Sequence, residues 1–406
     1  MNARTVAGSI SILAVLTACS NGGHLTDTAV RRDSAGITIV ENSAPSWREG
    51  STWRVDTAPM LAIASDAGEG AEFQSIMSVV RLENGTTVAT DTRPPFVRAF
   101  DTTGSLAWTA VREGGGPGEL RTAGPLSRLR GDSLILDAFA PENRAVLLTA
   151  DGEFAGDLPG FTPPAMENEP GTMRMPGIML RLTNGDAVAF LSRLRPGDLD
   201  LPGIRTADAA FYLLSRGNPP RLIDRWPTML MGGGTFAILL GSRIALAPMP
   251  DGFVHGWSTR DEFGVYDNEG DLTMLVRGPA SPRAPTSAEI QAARDAFLEQ
   301  RGDSPATQQQ LASAGIADSV ALYNRIVTST DGHVWRERFD ASAHDGPWAP
   351  RHPAVWDIFA PDGTLRGAVE TPAHFRLLSA GNDWVAGVHV DEMDVQTPRV
   401  YPLLKP

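Results

Sequence analysis

Short apolar runs alternate with tight-turn signals along most of the chain, and this alternation repeats six times. In each repeat an apolar run leads into a turn pair that contains Gly with Asn or Asp, and a second apolar run follows. Asn-Gly and Asp-Gly accept positive φ at both central positions, which two-residue β-hairpin turns require. The pattern predicts six hairpins, with turn pairs at Asn84-Gly85, Gly131-Asp132, Asn184-Gly185, Asp251-Gly252, Asp331-Gly332 and Gly381-Asn382.

A second turn follows in five of the six repeats and ends at Gly104, Gly152, Gly217, Gly270 and Gly363. Each repeat therefore predicts four antiparallel strands in a meander, which is the unit of a β-propeller blade. One such sheet cannot bury both faces alone, whereas blades stacked around an axis can. We predict an all-β fold, a six-bladed β-propeller over residues 35–406. Two β-sandwiches would explain the turns but not six similar units.

The sixth repeat lacks its second turn and predicts only three strands. The stretch Ser51–Ile63, which precedes the first complete repeat, contains apolar residues that can supply the fourth strand. Pairing the first and last segments would close the ring and remove exposed sheet edges. We expect this closure, and Ile37–Glu41 is a rival donor.

Composition narrows the class of protein. The chain has 406 residues, including 41 Gly and 31 Pro, and this content argues for frequent turns and against long helical bundles. Its formal net charge of −13 does not support a basic stripe that would bind nucleic acid or anionic lipid. Cys19 is the single cysteine, so the chain has no intrachain disulfide.

The N-terminal segment predicts export. Arg4 precedes a short apolar stretch, residues 6–16, which is shorter than the roughly 20 residues that cross a bilayer and is typical of a secretory signal. The stretch ends in Leu16-Thr17-Ala18-Cys19, which resembles the lipobox of bacterial lipoproteins. In that class a peptidase cuts before the cysteine, and the cysteine thiol carries a diacylglycerol. A plain signal peptide with a chance cysteine is the alternative.

We therefore expect residues 1–18 to be a signal peptide and residues 19–34 to be a lipidated flexible tether. The lipobox resemblance also implies a location, because Ser20, rather than Asp, follows the cysteine. It implies an outer-membrane lipoprotein of the bacterial cell envelope that faces the periplasm or the exterior.

Three further segments carry a resemblance to a known family. They are Asp33–Ile37 with Val40–Ser43, the Gly-Pro-Gly-Glu linker in Arg112–Leu120, and Asp391-Glu392 with Val395 and Arg399–Tyr401. In these segments the chain resembles the six-bladed β-propeller lipoproteins related to NHL and TolB-like propellers. The resemblance implies the fold and little about activity, because many members have no known biochemical role. The chain departs from it near residues 280–320.

The long insertions are predicted to lie on one face of the propeller. They fall between blades or between second and third strands, and these two connection types emerge on the same side of a meander. Long loops on a rigid scaffold are where binding usually occurs. Neutral drift of insertions is the alternative, although drift would not choose one face.

The largest insertion, residues 283–319, is predicted to carry two helices. Thr286 and Glu289 form a capping box for the first helix, and Ser304-Pro305 begins the second. Ile290, Ala293, Phe297 and Leu298 fall on one helical face. We expect this apolar stripe to pack on the propeller rim; a lid over the channel mouth is the alternative.

Motifs for common chemistry are weak in this sequence. Gly114–Gly118 lacks the Lys-Ser/Thr of a phosphate-binding loop, so these glycines predict a tight crossing between blades. No Gly-x-Ser-x-Gly nucleophile motif occurs. His344, Asp345 and His352 form a weak candidate metal set, because the spacing of the two histidines matches no standard ligand pattern. Catalytic residues remain unassigned.

Acidic residues end the second strand in five blades and are predicted to project toward the loop-rich face. Such a ring could bind Ca²⁺ or another divalent ion, or a cationic partner, and lactone-hydrolysing propellers place a metal at the channel mouth. The alternative is that Asp ends strands well and is solvated there. With Arg93 and the loop residue Trp348 added, the candidate binding face comprises Asp91, Arg93, Asp137, Asp261, Asp340, Trp348 and Asp391.

Two functions follow from these patterns. The first is a lipid-anchored binding or scaffold module of the cell envelope whose loop-rich face engages a protein, peptide or glycan. The second is a metal-dependent hydrolase or lyase with its site at the mouth of the central channel. In either case we expect a monomer that touches the membrane through its lipid alone and does not bind nucleic acid.

Overall fold

The computed structural model describes residues 28–48, 50–63, 73–139, 142–160, 162, 173–195, 197–198, 201, 203–232, 238–341 and 352–406. Four short strands come first: β1 (Ala29–Ser34), β2 (Ile37–Asn42), β3 (Arg54–Val55) and β4 (Leu61–Ala62). The predicted signal peptide, Cys19 and Ser20 lie outside the described residues.

Three blades follow along the chain, with a short parallel pair in the first crossing. Blade 1 contains β5 (Ile76–Arg81), β6 (Thr87–Asp91), β7 (Phe96–Phe100) and β8 (Leu106–Ala110), and β9 (Arg112–Glu113) and β10 (Glu119–Leu120) form the crossing. Blade 2 contains β11 (Ala123–Arg128), β12 (Leu134–Ala138), β13 (Arg144–Leu148) and β14 (Phe154–Pro159). Blade 3 contains β15 (Met173–Arg181), β16 (Ala187–Leu194), β17 (Arg205–Leu214) and β18 (Arg221–Met231).

The remaining blades are interrupted by the helical insertion. After β19 (Ile238–Leu239), blade 4 contains β20 (Ile244–Met249), β21 (Gly252–Trp257), β22 (Glu262–Tyr266) and β23 (Leu272–Arg277). The insertion holds α1 (Ser287–Arg301), α2 (Pro305–Ser313) and β24 (Gly315–Ile316). Blade 5 contains β25 (Tyr323–Thr328), β26 (Val334–Arg338), β27 (Ala354–Phe359) and β28 (Leu365–Thr371), and blade 6 contains β29 (Phe375–Ala380), β30 (Trp384–Val390) and β31 (Gln396–Leu404).

The predicted six-bladed β-propeller is confirmed. In every blade, neighbouring strands pair antiparallel in sequence order, and tight turns join the first strand to the second. Gly85 (φ 88°) and Gly185 (φ 92°) occupy the left-handed region in these turns, where a side chain would be strained. The local turn chemistry that defines the six repeats therefore also produces the hairpins.

The ring closes as expected from Ser51–Ile63. β3 pairs with β31 through Arg54 and Leu404, and β4 pairs with the same strand through Leu61 and Val400. Lys405 supports this closure, since its ammonium lies 4.0 Å from the ring centroid of Trp53. Blade 6 thus obtains its fourth strand from the other end of the propeller domain.

The rival donor has a different role. β2 pairs in parallel with β23, and β1 pairs with β2, so blade 4 becomes a six-stranded sheet. Asn42 then bridges two blades, because its amide nitrogen donates to the carbonyls of Arg277 and Gly363 at 3.0 Å each. Residues 29–34, which the sequence assigned to the flexible tether, are instead a strand. The reason is packing: Ala29 and Val40 are buried in the core between blades 4 and 5.

The helical insertion forms as predicted. The side chain of Thr286 accepts the backbone N–H of Glu289 and the Glu289 carboxylate accepts that of Thr286, which completes the capping box. The predicted stripe packs on connecting segments, since Ala293 and Phe297 line a small cavity with Leu239 and Phe339. No described helix is long and apolar enough to cross a membrane.

Aromatic rings fill the seams between blades. At the seam of blades 3 and 4, the His255 ring stacks on Trp226, with centroids 3.9 Å apart and planes 13° apart. Burial lowers the pKa of His255 to about 3. The fold therefore holds this histidine neutral.

Acid should destabilise the protein through His255. The pKa of His255 in the folded protein lies below its unfolded value of about 6.5. The stability that comes from keeping this histidine neutral is therefore fully present above pH 6.5 and is lost as the pH falls toward 3. Between pH 6.5 and 4.5 the loss in the free energy of unfolding should be about 2–3 kcal/mol. His255→Phe and His255→Gln should both remove this part of the pH dependence in urea unfolding. These replacements pack differently and neither titrates, so a wild-type slope in both would contradict the assignment.

Candidate functional site in the central channel

The first strands of the six blades surround a central channel. These strands, β5, β11, β15, β20, β25 and β29, form the inner edges of their sheets. They enclose a chamber of about 470 Å³ in the half of the channel that ends at the first tight turns. Each blade contributes to its wall, as Arg81, Leu126, Leu180, Leu246, Ile326 and Leu378 show. The chamber thus lies at the end opposite the predicted loop-rich face.

Backbone groups on these inner edges have no neighbouring strand to bond to, and side chains of adjacent blades provide hydrogen-bond partners for some of them. The Ser379 hydroxyl donates to the carbonyl of Val79 in the next blade at 2.7 Å. The Thr183 hydroxyl likewise donates to the carbonyl of Pro250 at 2.9 Å. Buried backbone groups are costly when unpaired, so these bonds stabilise the wall and fix the positions of adjacent blades. The chamber is therefore a preformed space with a rigid boundary.

The inner strands are basic although the chain as a whole is acidic. They contain no Asp or Glu, and they carry six arginines: Arg81, Arg128, Arg174, Arg181, Arg325 and Arg376. The formal net charge of the whole chain is −13. Acidic residues are thus absent from the inner strands, although Glu83, in the turn after β5, also lines the chamber.

Carboxylates from outside the wall neutralise several of these arginines. Arg181 makes a buried two-pronged pair with Asp137, with Nη2–Oδ1 at 2.7 Å and Nε–Oδ2 at 3.0 Å. Arg128, which also lines the chamber, pairs with Asp132 and with Glu83. These guanidinium groups are therefore held in place by the fold.

Arg81 is the chamber arginine that lacks such a partner among the described residues. Its guanidinium carbon lies 6.0 Å from the ring centroid of Trp384, which also lines the chamber. Burial lowers the pKa of Arg81, and the charge of nearby Asp383 acts in the opposite direction without an ion pair. A half-buried cation beside an aromatic face is thus available to a bound molecule.

A second arginine lies toward the other end of the channel. The Arg376 Nη2 atom donates to the carbonyl of Ile76 at 2.6 Å, and its Nε has no partner among the described residues. Burial lowers the pKa of Arg376 to about 10, and the charge of Arg325 adds to the shift. Positive charge therefore extends along the seam between blades 6 and 1.

Three of the predicted acidic residues have structural roles. Asp91 accepts the backbone N–H of Ser75 at 2.9 Å, Asp137 pairs with Arg181, and Asp261 pairs with Arg336 of the next blade. All three are buried. Their oxygens are engaged within the protein, in three different blades, rather than gathered around an ion.

The other predicted site residues are more exposed or lie outside the described ranges. Arg93, Asp340 and His352 are exposed. Asp391 accepts the backbone N–H groups of Met393 and Val395, both at 2.9 Å, in its own turn. Within the described ranges no group of three or more His, Cys, Asp and Glu side chains could hold a metal ion. The residues outside these ranges are His344, Asp345 and Trp348.

The glycine-rich crossing surrounds a carboxylate of its own. Glu119 accepts the backbone N–H of Gly116 at 2.9 Å and the Nε–H of Arg112 at 2.8 Å. A Cβ atom on Gly114 would overlap the Glu119 carboxylate. These glycines therefore serve the crossing between blades 1 and 2, as predicted, and their N–H groups face an internal anion.

No family model matches the chain, and no curated protein matches it by sequence. Its fold is similar to that of a putative exported protein from Bacteroides fragilis (8% identity, 91% of this chain and 99% of that chain, TM-score 0.47). Regucalcin, a calcium-binding protein from Agrobacterium tumefaciens, shares 8% identity over 88% and 97% of the two chains (TM-score 0.38). Virginiamycin B lyase from Staphylococcus aureus shares 10% over 80% and 94% (TM-score 0.37). Likenesses at this level carry no inference about activity.

Breaking the buried ion pair between Asp137 and Arg181 should lower the stability of the protein. Asp137→Ala leaves the Arg181 guanidinium buried and unpaired, so we expect the free energy of unfolding to fall by about 3–5 kcal/mol. The double replacement Asp137→Leu/Arg181→Met should recover most of this loss. The control is Arg31→Ala, which breaks the exposed pair with Asp362 and should cost less than about 1 kcal/mol. Equal losses at the two sites in urea unfolding would contradict this assignment.

Proposed function

We propose that this protein is a lipid-anchored binding module of the bacterial cell envelope whose ligand occupies the channel chamber. The observation that carries the proposal is the chamber itself, to which all six inner strands contribute. Its volume of about 470 Å³ falls within the roughly 300–1,000 Å³ of small-molecule sites. A preformed cavity requires little reorganisation on binding.

The composition of the wall supports a binding role. Apolar side chains from all six blades alternate with a few cationic groups, which is the usual make-up of a specific ligand site. Two of the acidic residues predicted for a metal site, Asp137 and Asp261, are engaged in ion pairs with buried arginines. Binding is therefore the function that this geometry favours over hydrolysis or elimination.

The anchor is proposed from the lipobox at Cys19. Nine residues, 20–28, separate this cysteine from the start of β1 at Ala29. Fully extended, they reach about 30 Å. The lipid would therefore hold the propeller close to the membrane surface, and Ser20 supports the outer membrane as that surface. The loop-rich face would stay free for a protein, peptide or glycan partner.

Removing the lipid attachment site should release the protein. In Cys19→Ala the cysteine thiol is absent, so no diacylglycerol can be attached, and the protein should move from the membrane pellet to the soluble fraction on cell fractionation. Ser20→Ala keeps the thiol and should remain membrane-bound. Membrane association of Cys19→Ala equal to that of the unaltered protein would contradict lipidation.

Filling the chamber should abolish ligand binding. Ser127 is a small chamber residue on β11, and Ser127→Trp would occupy much of the space available to a ligand. Thr109→Trp, on the exposed outer strand β8, is the matched control. A thermal-shift screen of neutral, cationic and anionic compounds should give stabilising ligands for the unaltered protein and Thr109→Trp, and none for Ser127→Trp. Ligands that stabilise all three proteins equally would place the site elsewhere.

A further inference from the structure

We propose that the chamber binds an amphipathic organic anion, with its negative head group on the guanidinium of Arg81 and its apolar body along the chamber wall. This inference rests on the proposal that the chamber is the ligand site, and it adds the chemical class of the ligand. It combines an available cation, the aromatic ring beside it and an apolar wall.

The unpaired guanidinium of Arg81 favours an anionic ligand. The carboxylate that lines the chamber, Glu83, pairs with Arg128, whereas Arg81 has no ion-pair partner among the described residues. A cation would meet repulsion from Arg81, and from Arg376 farther along the channel. Low-dielectric walls focus such a field toward the centre of the cleft.

Arg81 is the group best placed to hold the head group. The other chamber arginines already bond to carboxylates, as Arg128 does to Asp132 and Arg181 to Asp137. Arg81 has no hydrogen-bonded partner among the described residues, and it lies on the face of Trp384. A planar guanidinium can bind a carboxylate through two parallel hydrogen bonds. The unused donors of Arg81 thus match a planar anionic head.

The apolar wall of the chamber can contact the apolar body of the ligand. Leu180, Leu246, Met249, Ile326 and Leu378 line the chamber. At about 30 Å³ per water-sized group, a chamber of about 470 Å³ holds roughly 15 such groups. That space suits a chain of about ten carbons with its head group. An inorganic anion alone would leave the apolar wall uncovered.

A matched set of probes tests this inference. Decanoate, decanamide and decylamine share chain length and differ in head-group charge, and acetate carries the head group alone. Isothermal titration calorimetry on the purified protein should give the order decanoate, decanamide, decylamine from tightest to weakest, with no measurable binding of acetate. Because charge-assisted hydrogen bonds are the strong ones, we expect Arg81→Met to weaken decanoate binding about 10- to 100-fold.

Three variants separate the contributions to binding. Arg81→Met should leave decanamide binding unchanged, which shows that the chamber is intact, and Arg81→Lys should retain part of the preference for decanoate. Arg216→Met removes one exposed positive charge outside the chamber, and it should leave decanoate affinity within about twofold of the unaltered protein.

The results separate two assignments: the chamber as the ligand site, and an anion as the ligand. If decanamide or decylamine binds as tightly as decanoate and Ser127→Trp abolishes that binding, the chamber remains the ligand site and the anion assignment is wrong. If decanoate affinity is the same in Arg81→Met, the role of Arg81 is wrong. Decanoate binding that survives Ser127→Trp would overturn both, and absence of binding by every probe would overturn the anion assignment.

Discussion

Ring closure is the constraint on which the other features depend. Each blade has two apolar faces, and each face is covered by a neighbouring blade, so an open ring would expose a face at each end. The pairing of β3 and β4 with β31 closes blade 6 with strands from before blade 1. Closure also brings six inner edges around one axis, and the chamber exists because those edges meet there. The geometry of the site thus follows from a pairing far from it.

A second regularity links adjacent blades through charge. Asp137, near the end of the second strand of blade 2, pairs with Arg181 of blade 3. Asp261, which follows the second strand of blade 4, pairs with Arg336 of blade 5. In both cases the carboxylate of one blade neutralises a buried arginine of the next. Some of the acidic residues at strand ends therefore stabilise the interfaces between blades. A buried charge needs such a partner, because an unpaired one is strongly unfavourable.

The sequence could predict the blades because their signals are local. A Gly at a turn such as Asn84-Gly85 requires no knowledge of the rest of the chain, and the same is true of the capping box at Thr286. The N-terminal hairpin could not be placed in this way, because β2 pairs with β23 in parallel across more than two hundred residues. Its partner strand β1 reads Ala-Val-Arg-Arg-Asp-Ser, which has no clear apolar alternation. The sequence pattern therefore predicts a flexible tether at these residues.

The channel residues were missed for a different reason. The predicted site comprised acidic residues at the ends of second strands, whereas Arg81 and Trp384 line the chamber. Aligning the repeats shows arginine in the first strands of five blades and no acidic residue in the first strand of any blade. Other strands, such as β7 and β13, also contain arginine and no acid, so composition alone does not single out the channel, and the shared axis follows only from the arrangement of the blades.

An unpaired cation in the chamber is compatible with an acidic chain because electrostatic effects are local. At physiological ionic strength the Debye length is about 8 Å, so exposed acids more than that distance from the chamber contribute little inside it. The arginines of the wall act at short range and in partial burial, where screening is weaker. An overall charge of −13 thus says little about the chamber, where Arg81 presents a guanidinium without an ion-pair partner among the described residues. The net charge of a closed propeller is therefore a poor guide to the sign of its ligand.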